Sequence, residues 1–292
     1  MPQKINPATL APKTQTIILP VIIGVQAGAT AYLDLPLGVR YHAIYLQYGG
    51  TTFTPANITQ VRVKVNGTVV WALPGSFLDT MNQFDKMQAA STYNTLALSF
   101  ERIGLKSASA RWSTALNTGK GVLTRAVPQG ITSLRLEFDI NGTAVAPTLV
   151  ATAKISANNP AQGAWLMRRE IWYENVAVVG QYLHQHKYNQ DPLRPMMSRM
   201  FFGDTPANIT AFDIQANRQE IINRTSTLNE HIQTVDNLRA PQAGQVVWDT
   251  GEDGISANML NVGSIADLEI RTTHAAVNNA LPVMAESLGY LT

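Results

Sequence analysis

The residues best suited to chemistry fall in two short clusters. Asp249-Thr250-Gly251 follows Val246-Val247-Trp248, the hydrophobic-Asp-Thr-Gly pattern of an aspartic protease. That reaction needs two carboxylates sharing one proton, so a second copy of the motif is required. The chain has no second Asp-Thr/Ser-Gly, and Glu252-Asp253-Gly254 follows at once, so a polar β-turn is the better reading. Asp249 and Asp253 before Gly254 also faintly resemble a calcium loop, but the remaining ligands and the distal Glu are missing.

His184-Gln185-His186 would place two imidazoles on one face of a strand, the way a cupin holds a metal. The Glu a cupin needs does not follow; Lys187, Tyr188, Asn189 and Gln190 stand there, and a half-exposed strand histidine explains the pair better. Thr118-Gly119-Lys120-Gly121 lacks the upstream glycine of a phosphate loop. There is no Gly-x-Ser-x-Gly and no cysteine nucleophile. The Asn-x-Thr sequons at Asn57, Asn66, Asn141, Asn208 and Asn223 include two Asn-Gly turns, and turn chemistry accounts for those. Arg168-Arg169 with Lys4 and Lys13 is too thin for a nucleic-acid face. The sequence therefore predicts no catalytic, cofactor-binding or metal-ligating residue, and no enzyme.

The elements around these residues read as strands. His42, Ile44, Leu46 and Tyr48 alternate within Tyr41–Tyr48, and Val61, Val63 and Val65 within the next run; Asn66-Gly67 turns that run into Thr68–Leu73. Further strands are expected at Thr95–Phe100, Leu134–Ile140 and Leu149–Ile155. In the second half they are expected near Trp172–Leu183, Met197–Phe202, Ala211–Ala216, Val246–Trp248 and Leu268–Thr272. Ser76 and Asp79 form a capping box ahead of Phe77, Met81 and Phe84, predicting one short helix. Thr16–Leu33 is apolar but broken by Pro20, Gly24, Gln26 and Gly28, which suits a strand, a turn and a strand rather than a membrane span or a signal peptide.

Thr54-Pro55-Ala56-Asn57-Ile58-Thr59 recurs as Thr205-Pro206-Ala207-Asn208-Ile209-Thr210. At the same offset of 151 positions, Val61, Val63 and Val65 fall on Phe212, Ile214 and Ala216, and Asn66 on Asn217. Ser76/Asp79 falls on Thr227/Glu230, and Phe77, Met81 and Phe84 on Leu228, Ile232 and Val235. That spacing is one domain length, so the chain reads as two copies of a β domain. Charged residues make up only 14% of the chain, a surface polar without being charged, as suits a protein packed against neighbours. Residues 1–160 carry 13 Lys/Arg against 6 Asp/Glu, and residues 161–292 carry 9 against 14. A basic first copy and an acidic second suit two readings equally: independent drift of two solvated surfaces, or complementary contact between neighbouring chains.

Several segments resemble a known family. Leu35-Pro36-Leu37-Gly38 before the Tyr41–Tyr48 strand, Ile58-Thr59-Gln60-Val61-Arg62-Val63 with its Asn66-Gly67 turn, Gly130-Ile131-Thr132-Ser133 before Leu134, and Trp165-Leu166-Met167-Arg168-Arg169 are similar, in order and spacing, to double jelly-roll major capsid proteins of membrane-containing icosahedral bacteriophages, the corticovirus type. The resemblance implies an all-β chain of two tandem eight-stranded jelly-roll barrels with a short helix in each. It implies an extended arm over 1–13, a first jelly roll over 14–158, a linker over 159–164 and a second jelly roll over 165–292. It further implies pseudo-hexameric homotrimers meeting neighbouring capsomers in a virion capsid, synthesis in the host cytoplasm, and an arm that reaches the viral membrane through Lys4 and Lys13. The competing readings are a tandem carbohydrate-binding or adhesin module, with Trp112, Trp165, Trp172 or Trp248 as stacking platforms, and a bicupin-like metal enzyme on His184 and His186.

Overall fold

The computed structural model describes residues 14–118, 127, 130–157, 165–184, 191–236 and 239–291. The first half runs β1 (Gln15–Ile18), β2 (Thr30–Asp34), β3 (Val39–Gly49), β4 (Ile58–Val65), β5 (Thr68–Leu73), α1 (Gly75–Phe84), α2 (Ala90–Tyr93), β6 (Thr95–Ser99), α3 (Ala108–Thr114), β7 (Leu116–Asn117), β8 (Leu134–Ile140) and β9 (Thr148–Ala157). The second runs β10 (Leu166–Val176), β11 (Gly180–His184), β12 (Met196–Phe202), β13 (Ile209–Ala216), β14 (Gln219–Thr225), α4 (Ser226–Val235), β15 (Val246–Asp249), β16 (Leu260–Asn261), β17 (Leu268–His274) and β18 (Asn278–Gly289).

In the first half the strand order is β1-β9-β3-β6 in one sheet and β2-β8-β4-β5 in the other; in the second it is β10-β18-β12-β15 and β11-β17-β13-β14. Each is the jelly-roll order, and the two correspond strand for strand. Short β7 sits beside β3 as β16 sits beside β12. The sheets are sandwiches rather than closed barrels. They are joined where β10 pairs in parallel with β5, Arg169 opposite Trp71 and Glu170 opposite Ala72, so one nine-stranded sheet crosses from half to half.

The repeat holds in fine detail. At an offset of 151, β4 maps onto β13 and α1 onto α4, end to end. The bulge in β4 between Val63 and Lys64 recurs in β13 between Ile214 and Gln215. Asn66 and Asn217 both adopt positive φ at the hairpin. The Asn66 amide oxygen accepts from the Thr132 and Ser133 amides, and that of Asn217 from the Ala266 and Asp267 amides, pinning the loop that enters β8 or β17. The second turn residue differs: Gly67 is replaced by Arg218, which is held at φ +65°. An Arg218→Gly change therefore removes left-handed strain and is expected to raise unfolding free energy by about 0.5–1 kcal/mol, read from the denaturant midpoint.

The sequence reading needs four corrections. The Ser76/Asp79 and Thr227/Glu230 boxes do not cap the helices. α1 is preceded by Pro74, while Thr225 caps α4 by accepting from the Leu228 amide. Asp79 instead receives the Ala90 amide. The first half holds three α-helices rather than one, α2 and α3 being too short for periodicity to reveal. A bulge between Tyr41 and Ala43 turns His42 off the core face, so Tyr41 joins Ile44, Leu46 and Tyr48 in the core. β9 runs on through Ser156 and Ala157, two residues beyond the strand expected at Leu149–Ile155. The expected linker, the Lys4/Lys13 arm, Gly119–Gly121, Gln185 and His186 lie outside the described residues.

Candidate functional site: the junction between the sandwiches

Within each half the apolar inner faces form the core, but the surface between the halves mixes rings with charge. From the first half, α1 brings Phe77, Phe84 and, just past its end, Asp85. From the second, Phe201 on β12 packs edge-on against Phe77 at 6.4 Å and Phe84 at 5.7 Å. Strand alternation explains the division: Phe202 points into the second core, and its neighbour Phe201 points out of it toward the first half. Trp71, fully buried on β5, donates to the Met167 carbonyl at 2.9 Å, and the Arg169 guanidinium lies 4.2 Å from its ring.

Around these rings sits a buried ion network. Arg199 forks onto Glu286 with two bonds of 2.9 Å and reaches Asp85 at 2.8 and 2.9 Å. Arg169 also binds Glu286 at 2.9 Å. Arg102 bonds Asp249 at 2.6 Å and Ser198 at 2.5 Å, and Ser198 in turn donates to Glu286. Arg239 closes the circuit onto Asp85 at 2.6 Å and Asp249 at 3.3 Å. A β12 bulge between Met197 and Arg199 re-aims Ser198 and Arg199, and it matches the His42 bulge of β3. Gly104, at φ +95°, lies flush against Arg239; a Cβ there would come within 1.9 Å of the guanidinium.

Four arginines against three carboxylates leave the network one charge positive, and this decides the protonation states. Burial pushes the Glu286 carboxyl up, but Arg199, Arg169 and Arg102 outweigh it and hold the group far below the usual range. Asp249 is likewise lowered by Arg102, Arg239 and Arg199 against burial. Both folded values lie below the unfolded value of about 4, so their stabilisation is complete above that pH and is lost as pH falls below it. The melting temperature is expected to hold down to about pH 5 and fall steeply below pH 4, checked by calorimetry across that range.

The residues singled out for chemistry are accounted for. Asp249 is no turn residue: it ends β15 fully buried in the network, and the turn begins after it, where Asp253 caps the Ile255 amide. Its carboxylate and that of Asp253 serve different partners and do not converge on a calcium site. His184 is buried rather than half-exposed. Its Nδ1 lies 2.7 Å from Glu174 and its Nε2 2.6 Å from Thr272, while Glu174 also accepts from Trp172. The first half holds a similar cluster of His42, Glu101 and Ser156. Among the described residues no group of three ligating side chains converges. Trp172 and Trp248 are core residues, Trp165 stacks on Tyr290, and Trp112 leans on His42, so none stands out as a sugar platform.

Sequence reasoning missed this network. Its one visible signal was Glu286, a lone acid inside the apolar run Leu281–Leu288. It also missed two helix amides: Asn82 on α1 donates to the Ala97 carbonyl, and at the same offset Gln233 on α4 donates to that of Val247. On the outer faces, the cross-strand pair Arg62–Glu137 recurs with its signs exchanged as Asp213–Arg271.

Comparison with known proteins decides the family. The model for the viral coat protein P2 N-terminal domain matches residues 16–156, and that for the P2 C-terminal domain matches residues 169–291. The chain belongs to the viral coat protein P2 family. It is a structural capsid protein, not an enzyme, and its place is the virion. Among solved structures, the major capsid protein P2 of bacteriophage PM2 is similar at a TM-score of 0.80 and 19% identity, covering 96% of this chain and 98% of that one. The Sulfolobus turreted icosahedral virus major capsid protein is similar at 0.65 and 9%, over 96% and 97%. PBCV-1 VP54 is similar at 0.65 and 11%, over 98% and 95%. At such identities the likeness is one of fold, the double jelly roll. No curated protein matches the chain.

Proposed function

We propose that this coat protein assembles as homotrimers in which six jelly rolls form a pseudo-hexagonal tile, and that these capsomers close an icosahedral shell around an internal membrane. The strand-for-strand duplication within one chain carries the reading. Two similar units per subunit let a threefold particle present nearly sixfold edges to its neighbours. The chain divides accordingly into an arm over 1–13, a first jelly roll over 14–158, a linker over 159–164 and a second jelly roll over 165–292. The arm's Lys4 and Lys13, with no acid before Asp34, suit attraction to anionic lipid, about 1 kcal/mol per basic residue. Synthesis belongs in the host cytoplasm.

Mass measurement on the purified protein tests the trimer, and cryo-electron microscopy of the native particle tests the shell and its membrane. A basic first half and an acidic second half also predict that trimers loosen as salt rises. A trimer equally stable at low and high ionic strength removes the electrostatic part of this reading.

A further inference from the structure

The contact between the two sandwiches is head-to-tail, and that leaves one matching half-contact open at each end of the chain. The first half presents its helix side, α1 and β5. The second half receives it on the outward face of β10, β18 and β12. By the strand correspondence, the second half also owns a helix side, α4 and β14, and the first half owns an outward face on β1, β9 and β3. Among the described residues each keeps exposed apolar side chains, and β14 and β1 are both edge strands.

The side chains on these two surfaces suit a contact of the same kind. Phe77 and Phe84 on α1, with Asp85 just past its end, grip the second half, and their counterparts at the offset of 151 are Leu228, Val235 and Asp236. Phe84 is 0% exposed, whereas Leu228 is 48% and Val235 56% exposed. The face of α4 that carries its apolar residues thus turns toward solvent, while Asn229 and Gln233 are spent on the sheet beneath it.

On the receiving side, Phe201 pairs with Met284 as Tyr45 pairs with Thr152, which places Lys154 where Glu286 stands in the other half. Ile18 is 80% and Val150 51% exposed there. The change of sign is what a second contact needs. Asp85 finds its cations in Arg199 and Arg239; on the first half Ala43 occupies the place of Arg199, and Lys154 is the cation at hand for Asp236. Among the described residues neither Asp236 nor Lys154 has an ion-pair partner within the chain.

We propose that the α4–β14 side of one chain docks on the β1–β9–β3 face of a second copy, repeating between chains the contact that joins the sandwiches within one. Leu228 and Val235 cover the Ile18–Val150 patch, and Asp236 pairs with Lys154. This rests on the trimer reading, which the contact completes by closing a ring of three.

The test is mass photometry of the full-length protein over a dilution series, with a thermal melt of each variant. Leu228→Glu with Val235→Glu is expected to weaken association about 100-fold or more while leaving the melt of the monomer within a few degrees, since these side chains bury little inside the chain. Ile18→Glu, on the opposite surface, is expected to do the same and carries the test should the helix variant misfold. Asp236→Lys weakens association, and adding Lys154→Asp restores it. Wild-type trimers that survive the folded Leu228/Val235 and Ile18 variants undiminished overturn this contact and leave the trimer standing. A wild type that stays monomeric at every concentration overturns both.

Discussion

Replacing Glu286 by Gln is expected to lower the unfolding free energy by about 3–5 kcal/mol. The amide keeps the shape of the side chain but removes the negative charge shared by Arg199, Arg169 and Arg102, and Glu286 is itself fully buried. Those three guanidiniums, with Arg239, are then left with the carboxylates of Asp85 and Asp249. The effect is the penalty of stranding charge, so it exceeds what the ion pairs contribute over an apolar replacement. Chemical denaturation at pH 7 measures it. A companion signature separates charge from packing: the gap between wild type and variant should narrow as pH drops below 4, because the unfolded wild-type carboxyl then takes up a proton that the folded network keeps off. A constant gap would mean that the loss is steric.

Phe201→Ala is expected to cost about 3–5 kcal/mol, the usual range for emptying a ring-sized space in a core. Phe201 is fully buried between Phe77 and Phe84, with the Arg199 guanidinium 5.1 Å from its ring. Phe202→Ala, one residue on and facing the second core, should cost a similar amount by a different route. Hydrogen exchange distinguishes them. Loss of Phe201 should expose the backbone amides around the β5–β10 pairing first, whereas loss of Phe202 should raise exchange within the second sandwich. Equal exchange patterns in the two variants would mean that the halves do not meet through Phe201.

The first half was legible in the sequence because its strands alternate cleanly. Val61, Val63 and Val65, then Leu134, Leu136, Phe138 and Ile140, give one buried face each, and Asn66-Gly67 sets the turn. The second half was legible mainly where it repeats the first. β14 was missed because it is a polar edge strand with little to bury, and β18 because Pro282 interrupts it where strands seldom tolerate proline. Pro282 is accommodated beside Gly203, whose amide donates to its carbonyl. The apolar spacing of α1 carries over to α4, but nothing in that spacing shows that Leu228 and Val235 face outward. The junction was illegible for another reason. Asp85, Arg102, Arg199, Arg239, Asp249 and Glu286 are far apart in sequence, and no local pattern marks charges that a fold gathers from distant strands.

The two-residue parallel seam between Trp71-Ala72 and Arg169-Glu170 has a bearing on how the gene can be cut. Each strand shields the other's bare amides and carbonyls, a job that in a free-standing sandwich falls to charged or bulged borders. Severed at the connection, each fragment would display an unprotected ladder beside greasy rings and stranded guanidiniums. Such fragments are expected to clump or to seek each other out, and coexpression should rescue what separate production loses.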